Sequence, residues 1–398
     1  MRRRWLRPLL LSLILIFPGC SPDTAATRAV VRRDSAGIRI VENGESQART
    51  TLPWTLDTLP EVDIGTVAGD EPYQLFRVTG GAQLADGRIV VVNAGTQEIR
   101  FFDRQGVFLY SVGGRGEGPG EYQFPELVPS IRHDSLWVND RGRRLTRLDG
   151  SGEVARSITP RTPIATPVGI LANRLVTSQG SARAGPDSQE AIVPNDIVYE
   201  LVDLYTWTHD TIAQAEGFDL LLWKQGPAVG FTPVPFDVAP SAAAGGTRLY
   251  VAPGEVAQVL AIDTAGALRE IFRIVQAPEP LAKSDFDHVV EQQVDRARDD
   301  AAAAEIRRRY GRMPLPTVRP VFQDLLVDAA GHLWLEAFRA DARAQPEWIV
   351  MDASGVVLGR IATPRGVTLW QIGDDFLLGS MRDDSDVEHV VRYRLRRS

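Results

Sequence analysis

The chain has 398 residues, 44% of them hydrophobic, and a formal net charge of −7. That length can bury a large core, 35 Gly and 26 Pro imply many turns, and the acidic balance argues against a nucleic-acid-binding surface. The single cysteine, Cys20, excludes an intrachain disulfide.

Arg2, Arg3, Arg4 and Arg7 precede a short apolar run from Leu9 to Phe17. This is the layout of an export signal, and the run is too short to span a bilayer comfortably. It ends in IFPGC, Ile16 to Cys20, which resembles the lipobox of bacterial lipoproteins, with Phe17 and Pro18 departing from the usual residues. The resemblance implies cleavage that removes residues 1–19 as a signal peptide, and acylation of Cys20. Several acyl chains on one residue anchor a protein stably to a membrane. Ser21 follows where Asp would retain a lipoprotein at the inner membrane, which implies the outer membrane of a didermal cell envelope. Residues 20–50 are polar and irregular and read as a tether, leaving 51–398 as the folded domain. Lys224 and Lys283 are the only lysines against 42 arginines, which reflects genome composition more than an arginine-specific function.

From residue 85 onward the sequence repeats. A turn followed by a short apolar strand recurs six times, at 85–93, 132–140, 171–179, 245–253, 329–337 and 372–380. The first five copies are each followed by strand, Asp turn and strand, at 99–113, 145–158, 199–213, 259–272 and 348–361. In four of these Asp stands three residues before Gly: Asp103/Gly106, Asp149/Gly152, Asp263/Gly266 and Asp352/Gly355. Asp bonds nearby backbone there and Gly supplies a positive φ. The third copy departs, with Thr206 and Trp207 after Asp203. Units of this size cannot cover their own apolar faces and must stack on one another, as the blades of an all-β propeller do. The sixth unit is one outer strand short, and the stretch WTLDTLPEVDIG (54–65) has the pattern to supply it. That joins the two chain ends and removes an exposed edge. The spacing predicts six blades; the long gap between the third and fourth copies leaves seven as the alternative.

Between the first two units lies GGRGEGPGEYQF, 113–124. A phosphate-binding loop needs Gly-Lys-Ser/Thr leading into a helix, and a dinucleotide fingerprint needs a βαβ unit. Here Gly120 is followed by Glu121 and Tyr122, and Pro125 blocks a helix, so both readings fail. The stretch reads as the crossing from the rim of one blade to the centre of the next, ahead of an inner strand near 127–131. Arg115, Glu117 and Glu121 either pair with one another or face the channel mouth as part of a binding face. Further on, residues 283–312 read as one inserted helix, with the core of the insertion at 284–310. It opens on a Ser284/Asp287 capping box, carries Phe286, Val290, Val294, Ala297 and Ala301 on one stripe, and ends in Arg307, Arg308 and Arg309 before Gly311.

The Asp-turn repeats, GRGEGPGEYQF, and the late stretch PLPTVRPVFQDLLVDAAGHLW (314–334) resemble the six-bladed propeller lipoproteins of environmental bacteria, distant relatives of NHL-repeat propellers. The resemblance implies a fold over nearly all of the mature chain, and no defined activity.

Catalytic signatures are sparse. The histidines, His133, His209, His288, His332 and His389, are scattered, and no GxSxG elbow occurs. The acids Asp70 and Glu71, Asp299 and Asp300, and Asp383, Asp384 and Asp386 read as solvated turns or helix faces rather than an EF-hand loop. No cofactor is expected; calcium in the channel stays open as an alternative, because six-bladed lactonases use one. The expected role is a lipid-anchored envelope module that binds a small ligand or an envelope protein, without catalysis. The rival reading is an exported lactonase-like hydrolase or NHL-type lyase with a metal in the channel. A pyrroloquinoline-quinone sugar dehydrogenase is a weaker third.

Overall fold

A computed structural model of the protein describes residues 30–130, 135–184, 187–226, 228–341 and 343–397. Six sheets follow one another along the chain. The first holds Val78–Gln83, Ile89–Asn93, Glu98–Phe102 and Phe108–Gly113, and the second Pro125–Leu127, Ser135–Asp140, Arg144–Asp149 and Val154–Ile158. The third holds Thr166–Leu171, Arg174–Gly180, Ala191–Val202, His209–Gln225 and Ala228–Pro233. The fourth holds Ser241–Gly245, Arg248–Ala252, Gln258–Asp263 and Leu268–Val275; the fifth, Phe322–Val327, Leu333–Ala337, Glu347–Met351 and Val357–Ala362. The sixth has only Thr368–Ile372, Phe376–Arg382 and Glu388–Arg396 from its own stretch of chain.

Strands alternate apolar residues to both faces, so each sheet has two faces to cover. Six hydrophobic clusters do this, one between each neighbouring pair of sheets. One of them joins Val390 and Leu378 of the sixth sheet to Ile89 and Val91 of the first, so the stack closes into a ring of six blades.

Closure follows the expectation from 54–65. Val62–Ile64 and Thr55–Leu56 both pair antiparallel with the last strand, in the registers Val390↔Ile64 and Leu395↔Leu56. Beside them Arg397 donates to Asp328 Oδ2 at 2.7 Å and to the Gly373 carbonyl at 2.9 Å, and lies 4.7 Å from the ring centre of Trp54. Asp328 is fully buried, and the His332 backbone N–H and the Trp334 indole N–H also donate to its carboxylate, with His332 Nδ1 2.8 Å from Oδ2. The Asp turns behave as read: Asp103, Asp149, Asp263 and Asp352 each accept backbone N–H bonds from residues two and four further on. Gly106, Gly152, Gly266 and Gly355 sit at φ of 78–85°. The divergent third turn is one residue longer, with Trp207 N–H closing on the Asp203 carbonyl.

Three expectations are corrected. Much of the proposed tether is structured: Val31–Ser35 and Ile38–Gly44 form a hairpin, and Glu45–Arg49 a short helix, α1. Ile38–Gly44 runs parallel to Leu268–Val275 and extends the fourth blade outward. Its few apolar side chains suffice because Asn43 is fully buried, donating to the carbonyls of Arg273 and Gly355 and accepting from Val357 N–H. The inserted helix is two helices, α2 (Lys283–Asp295) and α3 (Asp300–Tyr310), which fold back on each other through an Arg307–Glu291 ion pair. Asp299 breaks the run by capping α3 at Ala302 N–H. The first cap is Asp285 accepting from Ala282 N–H, whereas Asp287 pairs with Lys283. Finally, the second blade's inner strand is Pro125–Leu127 rather than 127–131. Cys20, with the expected signal sequence, and His133 lie outside the described residues.

Candidate functional site: the central channel

Antiparallel order gives the ring two distinct faces. One carries the Asp turns. The other carries the crossings from each outer strand to the next inner strand, together with the turns between second and third strands. The inner strands surround a cavity of about 280 Å³. Its lining comes from the first blade (Thr79–Ala82), the second (Glu126–Ser130, Leu136, Trp137), the third (Pro167), the fifth (Leu326) and the sixth (Leu369–Gln371).

Bulges shape this lining. Register shifts occur at Val78/Gly81, Pro167/Gly169, Phe322/Asp324 and Leu369/Gln371, in the inner strands of the first, third, fifth and sixth blades. A bulge leaves one residue unpaired and re-aims its side chain. In the sixth blade that residue is Trp370, whose ring lies so close to Gly81 that a Cβ there would meet it at 2.8 Å. In the first blade the bulge holds Thr79 and Gly80, and a Cβ at Gly80 would meet Leu127 at 2.8 Å.

The polar lining groups divide into engaged and free. Thr79 Oγ1 donates to the Pro125 carbonyl at 2.7 Å. Gln371 ties blades six and one together, accepting from Gln83 N–H at 2.6 Å and donating to its carbonyl at 3.2 Å. Glu126 is exposed and has no hydrogen bond or ion pair among the described residues; the indole N–H groups of Trp137 and Trp370 are likewise unpaired among them. Glu126 is also the only charged residue of the described lining.

Two aspartates outside the cavity titrate unusually. Burial pushes Asp324, on the fifth blade's inner strand, up to about 6, with the Glu336 charge adding to the effect. Burial likewise lifts Asp237 to about 6, helped by Asp219, Glu255 and Glu216. Among the described residues no group of three or more His, Cys, Asp or Glu is placed to hold a metal ion.

The residues singled out from the glycine-rich stretch sit on the crossing face but do not line the cavity. Arg115, Glu117 and Glu121 are all exposed, and they do not pair with one another. Glu121 accepts from Gly118 N–H at 2.9 Å, and Glu117 from Gln123 Nε2 at 2.6 Å. The loop is pinned instead by Arg144 of the second blade, which donates to the carbonyls of Glu117, Gly118 and Glu121 and to Asp140. Tyr122 is buried at its base, and that burial raises its hydroxyl to about 12. The loop thus delivers the chain to the cavity two residues after Phe124, at Glu126.

One side of the crossing face is raised. In the third blade, residues 191–196 and 216–225 continue beyond the core of the sheet by roughly 20 Å, six residues at strand rise. Ala228–Pro233 pairs with this extension. The helical hairpin meets it: Arg309 lies 3.9 Å from the Trp223 ring centre, and Arg312 pairs with Glu190. A second cleft, of about 590 Å³, lies between blades four and five beside α1. Its charged lining is already paired, as Arg49–Glu45, Arg319–Glu279, Arg339–Glu336 and Arg360–Glu347.

Trp137, Trp370 and Glu126 escape a sequence reading, because an aromatic inside an apolar strand reads as core and a bulge without Gly leaves no local mark.

Comparison with known proteins agrees with the architecture. Residues 76–131 match a family described as a 6-bladed beta-propeller, DUF5128. No curated protein matches the chain. Among solved structures, a DUF4221 family member from Bacteroides vulgatus shares 12% identity over 87% of this chain and 99% of that chain, with a TM-score of 0.51. An exported-protein candidate from Bacteroides fragilis shares 11% identity over 90% and 99%, with a TM-score of 0.47. Virginiamycin B lyase from Staphylococcus aureus shares 10% identity over 86% and 99%, with a TM-score of 0.36. With six sheets, six packed interfaces and closure by its N-terminal strands, the chain is a six-bladed β-propeller.

Proposed function

We propose that the protein is a lipid-anchored binding module of the cell envelope, held at the outer membrane through acylated Cys20, that receives a small ligand in the central cavity from the crossing face. The observation that carries this reading is the cavity itself, lined by Trp137, Trp370 and Glu126, whose indole N–H groups and carboxylate have no partner among the described residues. Small-molecule sites pair apolar walls with a few polar groups in this way, and they range from about 300 Å³ upward. Fold alone does not assign a function. The hydrolase or lyase alternative calls for acids and His or Asn converging from at least three blades, and the described lining offers Glu126.

Native mass spectrometry tests the binding reading. The purified protein, incubated with a small-molecule extract of its own cells, is expected to retain a discrete added mass. Trp370→Ala should lose that mass with its melting transition still cooperative. No retained mass, or equal retention by the variant, overturns the assignment to this cavity. Metal analysis addresses the alternative: stoichiometric calcium in the purified protein would sink the metal-free module. For the anchor, Cys20→Ser is expected to leave the membrane fraction; a variant that stays membrane-bound in wild-type amounts refutes lipidation.

A further inference from the structure

We propose that the ligand of the central cavity is a small organic cation, selected by Glu126; this rests on the cavity being a ligand site. Glu126 stands in the second blade's inner strand, at the crossing-face end of the cavity. No Arg, Lys or His appears in the described lining, so among the described residues an anion entering the cavity meets a carboxylate without a counter-charge beside it. A cation meets the reverse: a carboxylate without an ion pair among the described residues, and two indoles whose rings favour positive charge.

The other polar groups reinforce this. Thr79 has its hydroxyl proton committed to the Pro125 carbonyl, which leaves its oxygen as an acceptor toward the cavity. Gln371 is held on both its amide atoms by Gln83, so it cannot turn to serve a ligand. What remains for a ligand among these groups is one negative charge, one acceptor oxygen, the two indole N–H donors and aromatic surface. A volume of about 280 Å³ sets the size at a single compact head group. Trp370 owes its position to the bulge at Leu369/Gln371 and to the missing side chain at Gly81, so aromatic wall and carboxylate can be perturbed separately.

Calorimetry with three probes of equal shape separates charge from shape: choline, its neutral isostere 3,3-dimethylbutan-1-ol, and the anion 3,3-dimethylbutanoate. Choline is expected to bind about tenfold more tightly than the alcohol, the scale of a partly desolvated cation on carboxylate and ring faces, and the anion not to bind. Glu126→Gln should erase the preference for choline and leave the alcohol's affinity in place. Gly81→Ala, which pushes on the Trp370 ring, should weaken choline and the alcohol alike. A choline preference that survives Glu126→Gln overturns the role of Glu126. Equal binding of choline and alcohol, both weakened by Gly81→Ala, overturns the cation and leaves the cavity standing as a ligand site. Absence of choline binding at millimolar concentration also overturns the inference, and the native-mass experiment then judges the cavity separately.

Discussion

Truncating Arg397 to alanine is expected to loosen the closure of the ring. The guanidinium donates to Asp328 at 2.7 Å and to the Gly373 carbonyl at 2.9 Å, with side-chain exposures of 18% for Arg397 and 0% for Asp328. Hydrogen bonds to charged groups contribute about 1.5–3 kcal/mol each when shielded from water. The contact with Trp54 at 4.7 Å adds about 0.5–1 kcal/mol. Asp328 keeps His332 and Trp334 as donors, so the loss stays below that of a fully orphaned buried charge. With those donors retained the net loss falls below the plain sum of these contacts, to about 2–4 kcal/mol, read as a shift of the urea midpoint with an unchanged slope. The pH dependence carries a sign. Burial alone raises the Asp328 carboxyl, but the His332 hydrogen bond, the Arg397 charge and Trp334 outweigh it and hold it below 3.8. Its stabilisation is therefore complete above that value and fades as pH falls through the lower folded one. The gap between wild type and Arg397→Ala should be constant near neutrality and close below about pH 4. Equal midpoints at pH 7, or a gap that persists undiminished into that acid range, would falsify the account of the latch.

Other consequences follow from the same contacts. Asp324→Asn keeps the hydrogen bond from Leu325 N–H and removes a charge that burial disfavours, so it should stabilise the protein at neutral pH by up to about 3 kcal/mol. Because the folded carboxyl sits near 6, that advantage should shrink as pH falls from 6 toward 4 in thermal melts; a pH-independent difference speaks against the burial argument. Asn43→Ala strips three hydrogen bonds, two of them fully buried, that tie the N-terminal hairpin to blades four and five, and should lower stability by about 2–4 kcal/mol in urea titration. Arg144→Ala should make residues 114–121 far more sensitive to a Glu-specific protease, with cleavage at Glu117 or Glu121 detected by mass spectrometry. Unchanged cleavage kinetics would mean that the loop holds its shape without Arg144.

What was legible in the sequence was whatever repeats. The Asp turns announce themselves because each needs a carboxylate at one position and a positive φ three residues later, and that chemistry recurs blade after blade. Strand 62–64 was legible as the missing piece because the sixth unit lacked a partner. Features that occur once were not. Asn43 secures the hairpin of 31–44 with a single buried amide, which local polarity disguises as linker. Asp299 ends one helix and starts another with one side chain, inside a stretch whose periodicity continues across the break. The cavity depends on where bulges fall, and a bulge at Trp370 is a property of the closed ring rather than of the residues TLWQI.

The N-terminal segment also fixes an orientation. Residues 38–64 touch the fourth blade through the parallel strand, the fifth through Asn43 and the Thr50–Arg360 backbone bonds, and the sixth through the closing strands. On the crossing face, the third blade's extension, the helical hairpin and the Phe236–Phe338 contact raise the side formed by blades three to five. The half formed by blades six, one and two carries neither the extension nor the helical hairpin and supplies most of the cavity lining, including Glu126, Trp137 and Trp370. In a six-membered ring the first blade lies opposite the fourth. An anchor at Cys20, as proposed above, would pull on the outer edge of the fourth blade and leave blades six, one and two farthest from the point of attachment. A ligand reaching the cavity across that half does not have to pass the raised wall. The hairpin of 31–44 and the wall, both extras on a plain six-bladed ring, thus both lie at blades three to five, away from the blades that supply most of the cavity lining.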